Sequence, residues 1–120
     1  MQEVTPEFLP ILRAHELMDH YECSDDFSGH SVFPYGVLTL AKKFYQPTYE
    51  FFQLPTEMDR SLLLTKLILH DEAIAIGNIH LESLSNPELR QKQLEVSKHV
   101  MSKSYCIQYL LKLNLLFLVL

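Results

Sequence analysis

The chain has 120 residues, of which 48% are hydrophobic, and a formal net charge of -5. This length is enough for one small domain with a modest core, and the negative charge argues against a generally basic nucleic-acid clamp. Cys23 and Cys106 lie far apart, which predicts neither a disulfide framework nor a zinc cluster. The first eight residues carry two acids and no apolar run, so no signal peptide is predicted and an intracellular, cytoplasmic or nuclear location is expected.

The first half of the chain predicts a helix followed by strands. The helix is expected over residues 4–18, because Thr5 is a favourable N-cap and Pro6 suits the first helical position. A polar loop that contains a glycine follows it. Residues 35–43 and 48–55 alternate or are rich in aromatic and β-branched side chains, which predicts two strands with a turn between them.

The second half predicts a hairpin and a second helix. Residues 60–81 read as two strands around a tight turn at residues 70–72, and their near-continuous apolar character is typical of strands covered on both faces. Asn86 caps a helix over residues 86–101. One face of this helix is apolar at three of four positions, which are Leu89, Gln93, Val96 and Val100.

The last segment, residues 105–120, is almost wholly apolar. Its densest run, residues 115–120, is far shorter than the ~18 to 20 apolar residues that a membrane span needs. A buried strand or helix, or a poorly fitting tail, is therefore expected rather than a transmembrane anchor. The order of helix, strands and helix predicts an α/β or α+β layered domain, and the lack of a glycine-rich phosphate loop argues against a doubly wound nucleotide fold.

A polar group stands at the end of the second hairpin strand. Alternation puts Ile76, Asn78 and His80 on one side of this strand, so His80 emerges at its C-terminal end. The imidazole can donate to a phosphate oxygen, as can the Ser83 hydroxyl, and Glu82 can orient one of them. On these residues alone, a satisfied histidine and helix-capping groups remain the more ordinary interpretation.

Three stretches resemble motifs of one phosphodiesterase superfamily. They are "MQEV" at the start, "LPTEMDRSLLL" in the middle and "GNIHLES" followed by an arginine and by glutamine-leucine. Together they are similar to the endonuclease/exonuclease/phosphatase (deoxyribonuclease I-like) superfamily, closest to the tyrosyl-DNA phosphodiesterase 2-like branch. The resemblance implies a partial two-sheet α/β sandwich of the deoxyribonuclease I-like type over residues 1–104, followed by a non-family tail over residues 105–120.

The same resemblance implies roles for individual residues. Glu3 would be a ligand of Mg²⁺, with Mn²⁺ as the alternative metal. His80 and Ser83 would be the catalytic groups that contact the scissile phosphate, and Arg60 and Glu82 would lie on the substrate side. The implied partner is a phosphodiester substrate such as a nucleic acid. Without the resemblance, Glu3 reads as a solvated acid and Arg60 as half of a surface ion pair.

The sequence also departs from the superfamily. An asparagine-bearing strand before the glutamate motif, a glycine-aspartate-x-asparagine motif and a serine-aspartate-histidine motif are all missing from the 120 residues. In the superfamily these motifs supply the groups that position the nucleophile and a second metal-side carboxylate. A fragment of the domain, truncated at both ends and inactive alone, is therefore expected. The alternative is a non-catalytic interaction fragment that uses an exposed apolar surface.

Overall fold

The computed structural model describes residues 1–83 and 85–104. The apolar segment 105–120, for which a buried element or a tail was predicted, lies outside the described residues. Five strands are described: β1 (Tyr21–Cys23), β2 (Leu40–Lys42), β3 (Thr48–Gln53), β4 (Ser61–Leu69) and β5 (Glu72–Ile79). Three α-helices are described: α1 (Leu9–Arg13), α2 (Leu17–His20) and α3 (Pro87–Lys103).

The strands form two small antiparallel sheets, one with the order β1-β2 and one with the order β3-β4-β5. The prediction of a mixed α/β domain is therefore confirmed at the level of class. The strand predicted over residues 35–43 is shorter than expected, since β2 covers only Leu40–Lys42, and upstream of it Gly36 forms an isolated bridge with Val4. The described helices contain none that is long and apolar enough to cross a membrane.

The N-terminal helix is broken where a single helix was predicted. A 3-10 turn over Pro6–Phe8 leads into α1, and α2 follows as a separate short helix. Pro10 lies in the first turn of α1, where its missing N–H costs no hydrogen bond. Leu9 and Leu12 are the buried residues of α1, whereas Ile11 is 67% exposed.

The β4–β5 hairpin forms as predicted. Its turn places His70 at φ 50° and Asp71 at φ 64°, which is the left-handed pair that a two-residue hairpin turn requires. β4 is the central strand and is buried along most of its length, but β5 is an edge strand and is mostly only partly buried. The expectation that both strands are covered on both faces is correct for β4 only.

The three-stranded sheet is sandwiched between α3 and the β1–β2 layer. Gly77 of β5 faces α3, since a Cβ there would lie 2.9 Å from the Met101 sulfur. Asn78 points to the opposite face, where its side-chain amide donates to the carbonyl oxygen of Leu38 at 3.1 Å. On that same face the Tyr49 hydroxyl donates to the carbonyl oxygen of Glu22 at 2.9 Å. The helix α3 and the β1–β2 layer therefore contact opposite faces of the three-stranded sheet.

Candidate functional site

One rim of the three-stranded sheet collects residues from distant parts of the chain. Leu62 of β4 pairs with Ile79 of β5 in the antiparallel register, so the residue before β4, Arg60, and the residue after β5, His80, lie at the same rim. The N-terminal segment reaches this rim too, because the Gln2 side-chain amide donates to the carbonyl oxygen of Ile79 at 2.6 Å.

Arg60 and His80 are in direct contact. The distance between Arg60 Nη1 and His80 Nδ1 is 2.9 Å. A guanidinium only donates hydrogen bonds, so Nδ1 must accept, which makes the imidazole neutral with its proton on Nε2. No described residue accepts a hydrogen bond from Nε2, and its N–H is therefore free to donate to a ligand.

Arg60 carries a buried charge that forms no salt bridge with a carboxylate in the described part of the chain. The side chain is only 6% exposed. Its guanidinium lies 5.2 Å from the centre of the Tyr35 ring, Nη2 approaches the Met58 sulfur at 3.8 Å, and Nε has no hydrogen-bond partner. The salt bridge found within residues 1–83 and 85–104 joins Lys66 to Glu50 and does not involve Arg60. Burial of an unpaired charge is costly, so the surroundings of Arg60 favour an anionic partner.

The environment of His80 lowers its pKa. Partial burial disfavours the charged imidazolium, and the adjacent Arg60 guanidinium acts in the same direction. The negative charge of Glu3 acts in the opposite direction and raises the pKa of His80. The net effect keeps the imidazole neutral near pH 7, in agreement with the tautomer that the contact with Arg60 requires.

Glu3 thus lies on the same side of the molecule as His80. It is exposed and adopts a left-handed backbone conformation, with φ 54°, which is uncommon for a residue other than glycine. No group of three or more histidine, cysteine, aspartate or glutamate residues that could hold a metal occurs in the described part of the chain. Among the described residues Glu3 is thus a single exposed carboxylate, which is fewer oxygen ligands than a divalent cation needs.

The other two predicted site residues lie in the connection between β5 and α3. Glu82 is only 4% exposed, and its carboxylate accepts hydrogen bonds from the Thr56 hydroxyl at 2.7 Å and from the Gln93 side chain at 3.3 Å. Ser83 is exposed, and its hydroxyl is hydrogen-bonded to that of Ser85 in the turn before α3. The structure thus brings Arg60, His80 and Glu3 to one rim and engages Glu82 and Ser83 with other partners.

Sequence reasoning missed three residues of this region: Tyr35, Thr56 and Gln93. Tyr35 was assigned to a strand and carries no signal that would pair it with Arg60. Gln93 did carry a signal, because it was the one polar residue at four predicted face positions of α3. It is fully buried, and a polar residue in an apolar stripe indicates hydrogen-bond partners inside the protein.

Comparison with known proteins finds no match to a family model, to a curated protein or to a solved structure.

Proposed function

We propose that this chain is a phosphate-ester-binding domain of the Mg²⁺-dependent phosphodiesterase type, folded as a partial deoxyribonuclease I-like sandwich. The motif resemblance motivates the family. The ligand class rests on one observation, which is the buried Arg60 guanidinium that pairs with no carboxylate of residues 1–83 and 85–104. A phosphodiester oxygen would neutralise this charge and would accept charge-assisted hydrogen bonds from the guanidinium.

Each rim residue has a distinct task in this proposal. Arg60 supplies fixed positive charge, and neutral His80 donates from Nε2 to a second phosphoryl oxygen, so both stabilise negative charge on phosphorus-bound oxygens. The Glu3 carboxylate would hold Mg²⁺, and the ion would supply positive charge that polarises the phosphoryl group. Ser83 remains a predicted phosphate contact and Glu82 a predicted substrate-side residue.

Binding without turnover is the activity proposed for this chain. The superfamily motifs that hold the attacking water and a second carboxylate are missing from the 120 residues. The rim would therefore bind the phosphoryl group, while the groups that hold the attacking water in the superfamily would not be supplied by these 120 residues. Among phosphodiesters we favour nucleic-acid ends such as tyrosyl-DNA, on the basis of the motif His80-Leu81-Glu82-Ser83 and of Arg60. That preference implies an intracellular location.

Calorimetric titration with p-nitrophenyl thymidine phosphate, with Mg²⁺ and with EDTA, tests this proposal. Arg60→Met should weaken binding by about 10-fold to 100-fold, because a hydrogen bond to a charged group is worth about 1.5–3 kcal/mol. The melting temperature of Arg60→Met should stay level or rise, because the variant removes an uncompensated buried charge. The wild-type protein should bind the ester more weakly in EDTA than in Mg²⁺.

Arg13→Met is the matched control. Arg13 also lies over an aromatic ring, with 5.7 Å between its guanidinium carbon and the centre of the Phe27 ring, but unlike Arg60 it is exposed. The Arg13→Met variant should bind the ester with the affinity of the wild-type protein. Equal affinity in wild type and in Arg60→Met would contradict the phosphate site. Metal-dependent release of p-nitrophenol that is lost in His80→Ala would contradict the absence of turnover.

The alternative function, a non-catalytic interaction fragment, is favoured by two exposed aromatic side chains. Phe44 is 85% exposed and Phe33 is 75% exposed, so both rings are accessible to a partner. Light scattering separates the two functions. Concentration-dependent association that Phe44→Ser and Phe33→Ser abolish, in a protein that does not bind the ester, would support the interaction fragment instead.

A further inference from the structure

Gln93 is a fully buried polar side chain in the middle of α3, and its amide oxygen and nitrogen are both hydrogen-bonded. Its amide oxygen accepts a hydrogen bond from the backbone N–H of Glu82 at 2.7 Å. Its amide nitrogen donates to the carbonyl oxygen of Pro55 at 3.0 Å and to Glu82 Oε2 at 3.3 Å. One side chain therefore ties α3 to the loop before β4 and to the connection after β5.

The hydrogen bonds continue from Glu82 to Arg60. Glu82 Oε2 also accepts from the Thr56 hydroxyl at 2.7 Å and from the backbone N–H of Glu57 at 3.3 Å. The Thr56 hydroxyl oxygen in turn accepts from the backbone N–H of Arg60 at 3.0 Å. The chain of contacts from Gln93 through Glu82 and Thr56 thus ends on the backbone of the residue whose guanidinium meets His80.

We propose that Gln93 is a positioning residue for the phosphate site. Through Glu82 and Thr56 it holds the loop of residues 55–60, from which the Arg60 side chain extends to His80. This inference rests on the proposed function, because it assigns Gln93 a role at the same site. Sites that recognise a charged ligand need their contacting groups held within about 0.5 Å, and supporting hydrogen bonds are the usual means.

The identity of residue 93 supports this role. Burying an amide in a helix face costs free energy unless every polar group is paired, and an apolar residue of similar size would pack there without that requirement. The glutamine is fully paired, and all of its side-chain bonds go to the two loops that flank the rim. Ser97, one turn further along α3, is equally buried, but its hydroxyl donates to the carbonyl oxygen of Gln93 within the helix.

The experiment compares Gln93→Leu with Ser97→Ala as the matched buried control. Two quantities are measured at a temperature where all proteins are folded: the affinity for p-nitrophenyl thymidine phosphate, and the pH titration of the His80 ring nitrogens by nuclear magnetic resonance. Gln93→Leu should weaken the affinity by about tenfold or more, as loss of a supporting contact does at other sites. The His80 midpoint should rise toward its ordinary value of 6.5, because Arg60 is no longer held against the ring. Ser97→Ala should change neither quantity.

Thr56→Val is the second variant and covers the case in which Gln93→Leu does not fold. It removes only the hydroxyl between Glu82 and Arg60, and the contacts of Gln93 with Glu82 and Pro55 remain. It should reproduce the loss of affinity and the rise of the His80 midpoint. Wild-type affinity together with a wild-type His80 titration in the folded variants would overturn the positioning role.

The two proposals fail in different ways. If wild-type protein does not bind the ester, the phosphate site is wrong. The His80 titration still judges Gln93 in that case, because the contact between Arg60 and His80 exists without a ligand. If wild type binds the ester and the variants titrate and bind as wild type does, the phosphate site stands and the positioning role is wrong.

Discussion

At the scale of residues, the unusual feature is a cation that is buried next to a neutral ring rather than next to a carboxylate. Arg60 and His80 were predicted separately from their motifs, and in the structure they share a hydrogen bond of 2.9 Å. Because the guanidinium can only donate, the contact holds one tautomer of the imidazole and opposes its protonation. The pair therefore couples the charge of His80 to the stability of the protein.

The stability of the protein should depend on the protonation of His80. Its pKa is lowered in the folded state, so the unfolded chain binds the proton more readily. The stabilisation that depends on neutral His80 is fully present above the pKa of the unfolded chain, which is about 6.5. It is lost as pH falls through the lower pKa of the folded protein. Chemical denaturation at pH 8 and at pH 5, about 1.5 units on either side of the pKa of the unfolded chain, measures this loss of stability.

His80→Gln isolates the effect. Glutamine can still accept a hydrogen bond from Arg60 but does not titrate, so the difference in unfolding free energy between wild type and the variant reports His80 alone. This difference should change in favour of the variant as pH falls below 6.5. A difference that stays constant across the range would show that burial and Arg60 do not lower the pKa of His80 in the folded protein.

At the scale of elements, α3 follows its local sequence signals. It begins after Asn86, whose side-chain oxygen accepts a hydrogen bond from the backbone N–H of Leu89 at 3.3 Å, and Pro87 occupies the first turn. Leu89, Val96 and Val100 are partly buried as predicted, but the most buried positions are Gln93 and Ser97. The N-cap and the largely apolar face thus account for the position of the helix, and the most buried residues of that face are polar.

Removal of the Asn86 cap should destabilise the protein. Asn86→Ala leaves the N–H of Leu89 without its side-chain partner and should lower the free energy of unfolding by about 1 kcal/mol. Thr5→Ala is the matched control, because Thr5 precedes the first helical turn but makes no side-chain cap hydrogen bond. It should change stability by less than about 0.5 kcal/mol. Urea denaturation measures both; equal losses would mean that the Asn86 contact contributes nothing beyond propensity.

At the scale of the whole molecule, the packing of α3 against the three-stranded sheet depends on a small residue. A Cβ on Gly77 would lie 2.9 Å from the Met101 sulfur and 3.2 Å from a methyl carbon of Leu62. Leu62 is fully buried and has little room to move, although the methionine side chain can adjust. The distance between the layers is therefore set by the absence of a side chain at this position.

Gly77→Val should push the two layers apart. Overpacking of a close contact costs about 1–3 kcal/mol, so the free energy of unfolding should fall by that amount even though valine favours strands. Ala73→Val is the control, because Ala73 lies on the same face of β5 but is exposed. Its free energy of unfolding should stay within about 0.5 kcal/mol of the wild-type value. Thermal or urea denaturation compares the two. Equal stability of Gly77→Val and the wild-type protein would mean that the Met101 side chain moves away without a cost in free energy.

The sequence by itself determined the mixed α/β class, the β4–β5 hairpin and the start of α3, because periodicity, turn residues and caps act over a few neighbouring residues. It was less successful at the N-terminus, where the single expected helix is instead a 3-10 turn followed by the short helices α1 and α2. There, local propensities compete, and packing of Leu9 and Leu12 into the core decides the outcome.

Only the tertiary structure decided which polar groups meet. The antiparallel register puts Arg60 beside His80, and the layer that carries Tyr35 supplies the ring beneath the guanidinium. The burial of Glu82 against Gln93 likewise depends on how α3 packs across two loops. These contacts join residues far apart in the chain, and their geometry follows from the way the layers pack, which no local pattern encodes.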